Sequence, residues 1–87
     1  MDKYRVVLSR SATKELENLP HVVADRVVAR LEALESSPRP AGALKLKGAN
    51  LWRLRVGDYR VVYALDDAAK VVDVVIIQHR KDVYRDL

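Results

Sequence analysis

At 87 residues, with 49% hydrophobic and 32% charged side chains, the chain suits one domain, residues 1–87, and is too apolar to be disordered. It has no cysteine, which excludes a disulfide framework and a thiolate metal site and fits a reducing compartment. The net charge of +4 is concentrated: residues 45–60 carry five basic groups against one acidic, residues 1–44 seven against six, and residues 61–87 four against five. A basic patch of this kind suits a polyanionic partner such as RNA or DNA.

Tyr4 to Ser9 has the composition of a short strand. Ser9 and Ser11 offer helix caps, and Ala12, Leu16 and Leu19 recur at helical spacing. Pro20 ends that helix or opens the next. From Pro20 to Ser36 the stripe Val23, Val27, Leu31 and Leu34, widened by Ala24 and Val28, predicts a second helix, antiparallel to the first. Pro38 and Pro40 place a loop over residues 36–42, and a basic connector with Lys45 and Lys47 follows.

Leu51 to Leu65, LWRLRVGDYRVVYAL, predicts a β-hairpin turned at Gly57-Asp58. A two-residue loop sets Val56 opposite Tyr59, Arg55 opposite Arg60, Leu54 opposite Val61 and Trp52 opposite Tyr63. One side is then apolar and the other gathers Arg53, Arg55 and Arg60. Like charges facing each other on a sheet cost roughly 0.2–1 kcal/mol, so a bound anion is the simplest reason to keep them. After a turn at residues 66–70, Val71 to Gln78 predicts a central strand, apolar on both faces except at Asp73. The order is β-α-α-β-β-β, an α+β fold. An N-terminal helical hairpin packs on a small, mainly antiparallel four-stranded sheet, with the first strand beside the hairpin's first arm. No apolar run approaches the ~20 residues of a membrane span, and the N-terminus lacks a signal-peptide pattern. The expectation is a cytoplasmic protein with no membrane contact.

Two histidines and no cysteine make no metal site, no Gly-rich phosphate loop is present, and no cofactor is expected. What remains is an arginine face flanked by lysines, a His-Arg pair and Tyr84. That set suits an RNA phosphodiester. Guanidiniums hold phosphate oxygens, an aromatic ring stacks on an unpaired base, and RNA supplies its own nucleophile in the 2′-hydroxyl.

WRLRVGDYRVVYALDD, the later HRKDVYR, the preceding LKLKG and the two-helix N-terminal half together resemble the RelE/ParE superfamily of toxins from toxin–antitoxin systems. The resemblance covers nearly the whole chain. The DYRVVY segment is shared across the superfamily; the tail with its tyrosine resembles the RelE branch more than the gyrase-poisoning ParE branch. RelE-type toxins cut mRNA in the ribosomal A site by attack of the 2′-hydroxyl on the adjacent phosphate, which inhibits translation. The resemblance implies that Arg60 contacts the scissile phosphate, Arg80 stabilises the transition state or assists the leaving group, and Tyr84 stacks on the target base. Lys45, Lys47 and Lys81, with Arg53 and Arg55, are the expected RNA contacts. Arg53 and Arg55 stand where the best-known member has lysines, one of them assigned as general base. Arginine stays protonated and cannot take that role, so His79 becomes the candidate base. The resemblance also implies the ribosome, mRNA and a cognate antitoxin as partners, the last in a hetero-oligomer. Two other readings are a ParE-like DNA gyrase inhibitor and a non-catalytic binder on the same fold.

Overall fold

Ser9 starts the first helix. In the computed structural model, which describes residues 3–46 and 50–79, its hydroxyl accepts from the Ala12 backbone N–H at 3.0 Å. This is the N-cap of α1 (Arg10–Glu17). After a short link, α2 (His21–Ala33) follows Pro20, whose fixed φ suits a helix entrance. Val27, Leu31 and Leu34 of the expected stripe are buried, and Val23 and Ala24 pack against them. Val28 is 40% exposed. It sits one residue, about 100°, round the helix from Val27, which carries it off the buried stripe.

The strands are β1 (Arg5–Leu8), β2 (Leu44–Lys45), β3 (Leu51–Val56), β4 (Tyr59–Asp66) and β5 (Val71–His79). They form one five-stranded sheet in the order β1-β5-β4-β3-β2. The hairpin has the expected register throughout, including Arg55 opposite Arg60 and Trp52 opposite Tyr63. Gly57 takes φ +59°, the left-handed conformation that the first residue of such a turn needs.

Two features correct the sequence reading and a third adds to it. The sheet has five strands, because Leu44 and Lys45 pair with Arg53 and Trp52. A two-residue strand is too short to show in composition; its pairing partner defines it. Second, β1 does not join the hairpin's first arm. It pairs parallel with β5, Val6 opposite Val72 and Leu8 opposite Val74. The chain between them, both helices followed by β2, β3 and β4, supplies the long connection that a parallel pair requires. Third, β5 carries a bulge: Val62 pairs with Ile76 but Tyr63 with Val74, which leaves Val75 over. The bulge inverts facing along the strand, so Val72, Val74 and Ile77 are all buried.

Ser9 also braces the bulge. Its backbone N–H donates to the Val74 carbonyl at 2.9 Å, and its hydroxyl donates to the Val75 carbonyl at 2.9 Å. Ser9→Ala therefore loses a helix cap and a strand contact together. The expected cost is about 1–2 kcal/mol, read from the midpoint of urea unfolding.

Both helices pack on the sheet face that carries Leu54, Val61, Tyr63 and Val74, each nearly or fully buried. No helix among the described residues is long and apolar enough to cross a membrane.

Candidate functional site

The sheet face opposite α1 and α2 holds the arginines. Arg55 lies opposite Arg60 on the next strand, and Arg60 lies opposite Gln78 on the one beyond. Paired residues share a face, so these three form one row across β3, β4 and β5. Arg60 and Gln78 are half-buried and Arg55 is exposed. Arg53, half-buried, sits two residues back along β3, opposite Val62. Val62 and Ile76 give the face an apolar patch behind the row, and Ile76 is 36% exposed. Gln78 drew no attention in the sequence. Only the parity set by the bulge brings it beside Arg60.

The structure separates two other candidates from this row. Lys45 pairs with Trp52, so it belongs to the helix-facing side at the sheet edge. His79 pairs with Tyr59, and its ring meets the Tyr59 ring edge-on with centroids 4.9 Å apart. Tyr59 packs against the core, so His79 lies on the face opposite Arg55 and Arg60. On that side Val23, Arg26, Val56, Gly57, Asp58 and Tyr59 line a shallow cleft of about 190 Å³. Lys47, Arg80, Lys81 and Tyr84 fall outside the described residues. The described residues contain no group of three or more side chains suited to a metal ion.

A second cluster occupies the other end of the sheet. Arg39, from the loop after α2, donates to Asp67 at 2.6 Å, and the Tyr4 hydroxyl donates to the same carboxylate. The Arg39 guanidinium also stands over the Trp52 ring, 5.3 Å from its centroid, a cation–π contact. Beside it the buried Tyr63 hydroxyl donates to the Pro38 carbonyl at 2.8 Å. These contacts fasten the loop to the sheet and hold β3 and β4, which carry Arg53, Arg55 and Arg60. Sequence reading missed the cluster, since its members lie far apart in the chain and have no shared spacing. Burial pushes the Tyr63 phenol above its usual range.

The hydrogen bond from Arg39, followed by that from Tyr4, holds the Asp67 carboxyl below its ordinary range. A carboxyl lowered by folding stabilises the fold above its unfolded pKa, and that stabilisation fades as pH falls through the folded value. In an NMR titration of the Asp67 carboxyl, Arg39→Ala should move the midpoint up toward an ordinary aspartate. An unmoved midpoint would contradict the assignment.

Comparison with known proteins agrees with this architecture. Residues 6–84 match the family described as the ParE toxin of the type II toxin–antitoxin system parDE. Two Mycobacterium tuberculosis proteins are similar over 84 residues, 94% of this chain. Toxin RelE is 33% identical with 87% of its own length covered, and toxin RelG 31% with 97% covered. The archaeal RelE–RelB complex of Pyrococcus horikoshii contains a chain 31% identical, superposing with a TM-score of 0.78 over 90% of this chain and 96% of that one. The arginine-bearing sheet is thus the scaffold of a toxin from a type II toxin–antitoxin system, and the chain belongs to the RelE/ParE superfamily.

Proposed function

We propose that this toxin is a ribosome-dependent mRNA endoribonuclease that cuts within the A site and so inhibits translation. The observation that carries the reading is the row of Arg55 and Arg60, with Arg53 beside it, on a sheet face that no helix covers among the described residues. Such a face suits a phosphodiester, whose charge grows as the reaction proceeds. The 2′-oxygen forms a bond to phosphorus and the bond to the 5′-oxygen breaks. A proton leaves the 2′-hydroxyl and another reaches the leaving oxygen. Arg60 holds the scissile phosphate, Arg53 and Arg55 hold the RNA backbone, and Arg80 stabilises the transition state or assists the leaving group. Tyr84 stacks on the target base, and Lys45, Lys47 and Lys81 contact RNA around the site. His79 remains our candidate for removing the proton, a role that requires its ring to leave Tyr59 and turn round the end of β5. Similar chains from M. tuberculosis and E. coli occur in toxin–antitoxin complexes, and one from P. horikoshii in a RelE–RelB complex. We assign this toxin a cognate antitoxin that covers the basic face in a cytoplasmic complex.

The test is end-mapping of mRNA on programmed ribosomes, with ribosome-free mRNA as control. Cuts confined to the A-site codon, and only with ribosomes, support the reading. Intact mRNA overturns it. The matching family's ParE description favours one second reading, inhibition of DNA gyrase without cleavage by the toxin. A gyrase supercoiling assay would show that as lost supercoiling with intact mRNA.

A further inference from the structure

Arginine is a donor only, and its charge suits phosphate oxygens whatever the base. A row of guanidiniums can therefore hold RNA without reading it. The third member of the row differs in kind. Gln78 is the chain's single glutamine, and its amide offers donor and acceptor side by side. It lies directly opposite Arg60, one strand spacing of about 4.8 Å away. Half-buried on the sheet, it is a more fixed group than a side chain on a loop.

The bulge gives this placement its weight. Without the extra residue at Val75, the two-residue alternation from Asp73 would bring Ile77 and His79 to the arginine face and turn Gln78 inward. With it, Gln78 joins Arg60 and Ile77 goes to the core, 3% exposed. Ser9 fixes the bulge through the carbonyls of Val74 and Val75. Bulges beside sites commonly serve to re-aim a side chain.

Resting on the endoribonuclease reading above, we propose that Gln78 reads the edge of the nucleobase next to the phosphate held by Arg60, and is the specificity-determining residue of this face. On the Hoogsteen edge only adenine presents one donor and one acceptor together, N6–H and N7, so an amide reading that edge selects adenine. A bidentate pair of this kind discriminates by about 5- to 150-fold. Wet, unpaired bases of single-stranded RNA expose the edges required.

The experiment compares cutting rates on ribosomes programmed with A-site codons that differ at one base, using wild type, Gln78→Ala and Gln78→Glu. Wild type should favour adenine at one codon position. Gln78→Ala should compress the spread between codons toward unity. Gln78→Glu, an acceptor-only group of the same shape, should shift preference toward cytosine, whose Hoogsteen edge donates from its amino group without adenine's N7 acceptor beside it. A ratio between codons does not respond to a general loss of folded protein, so a structural role would leave it unchanged. If wild type cuts and both variants keep its codon profile, the inference fails and the enzyme reading stands. If wild type cuts nothing, the enzyme reading fails and this inference falls with it.

Discussion

Arg60→Ala should lower the rate of A-site cutting by about 10²–10³-fold, the usual cost of removing one preorganised donor from a developing oxyanion. Arg60 has the placement for that role. It is half-buried on the central strand β4, with Arg55 on one side and Gln78 on the other. The loss should appear in the rate at saturating ribosomes as well as in binding, because charge builds mainly in the transition state. Arg60→Lys should recover part of it, since lysine keeps the charge but loses the two-pronged geometry. The fold should tolerate the change. Relief of the Arg55–Arg60 repulsion is worth roughly 0.2–1 kcal/mol in the stabilising direction. Unchanged cutting by a folded Arg60→Ala protein would remove Arg60 from the site.

Tyr63→Ala should have the largest effect on stability. Tyr63 is 0% exposed and is the largest fully buried side chain among the described residues. Truncating a buried aromatic costs about 3–5 kcal/mol, through lost burial and the cavity left behind. Native domains hold a margin of only about 5–15 kcal/mol, so much of it would go. Tyr63→Phe keeps the ring and removes only the bond to the Pro38 carbonyl, for about 0.5–1.5 kcal/mol. Urea unfolding of both variants separates packing from hydrogen bonding. A Tyr63→Ala protein within 1 kcal/mol of wild type, by the same extrapolation, would show that the site collapses around the gap.

The hairpin was legible because its instructions are local. Gly57-Asp58 sets the turn, and the turn sets every pair from Val56–Tyr59 outward. The arginine face follows from that register. Ser9 as a cap and the stripe of Val27, Leu31 and Leu34 are likewise short-range patterns. β5 was legible as a strand but not in its facing. Its run of valines and isoleucines is apolar on both sides, so no alternation marks the point where Val75 is left over. The positions of Gln78 and His79 depend on that one residue. The parallel partner of β1 is equally hidden, since nothing near Arg5–Leu8 encodes a strand that forms much later in the chain. Arg39 and Asp67 meet only because both the loop after α2 and the turn after β4 come to the same end of the sheet.

That late pairing bears on how the molecule is made. Ser9 and Val75 are 66 positions apart, and the first strand has no sheet neighbour until the last one has been synthesised. At about 5–20 residues per second, translation leaves β1 waiting roughly 3–13 s. During that interval the helices and the hairpin can form, since their contacts are local. Closure of the sheet is the non-local step and the slow one. The arginines of the hairpin are thus in the growing chain before the strand that brings Gln78 beside them, and the complete row comes into being only once β5 has been made.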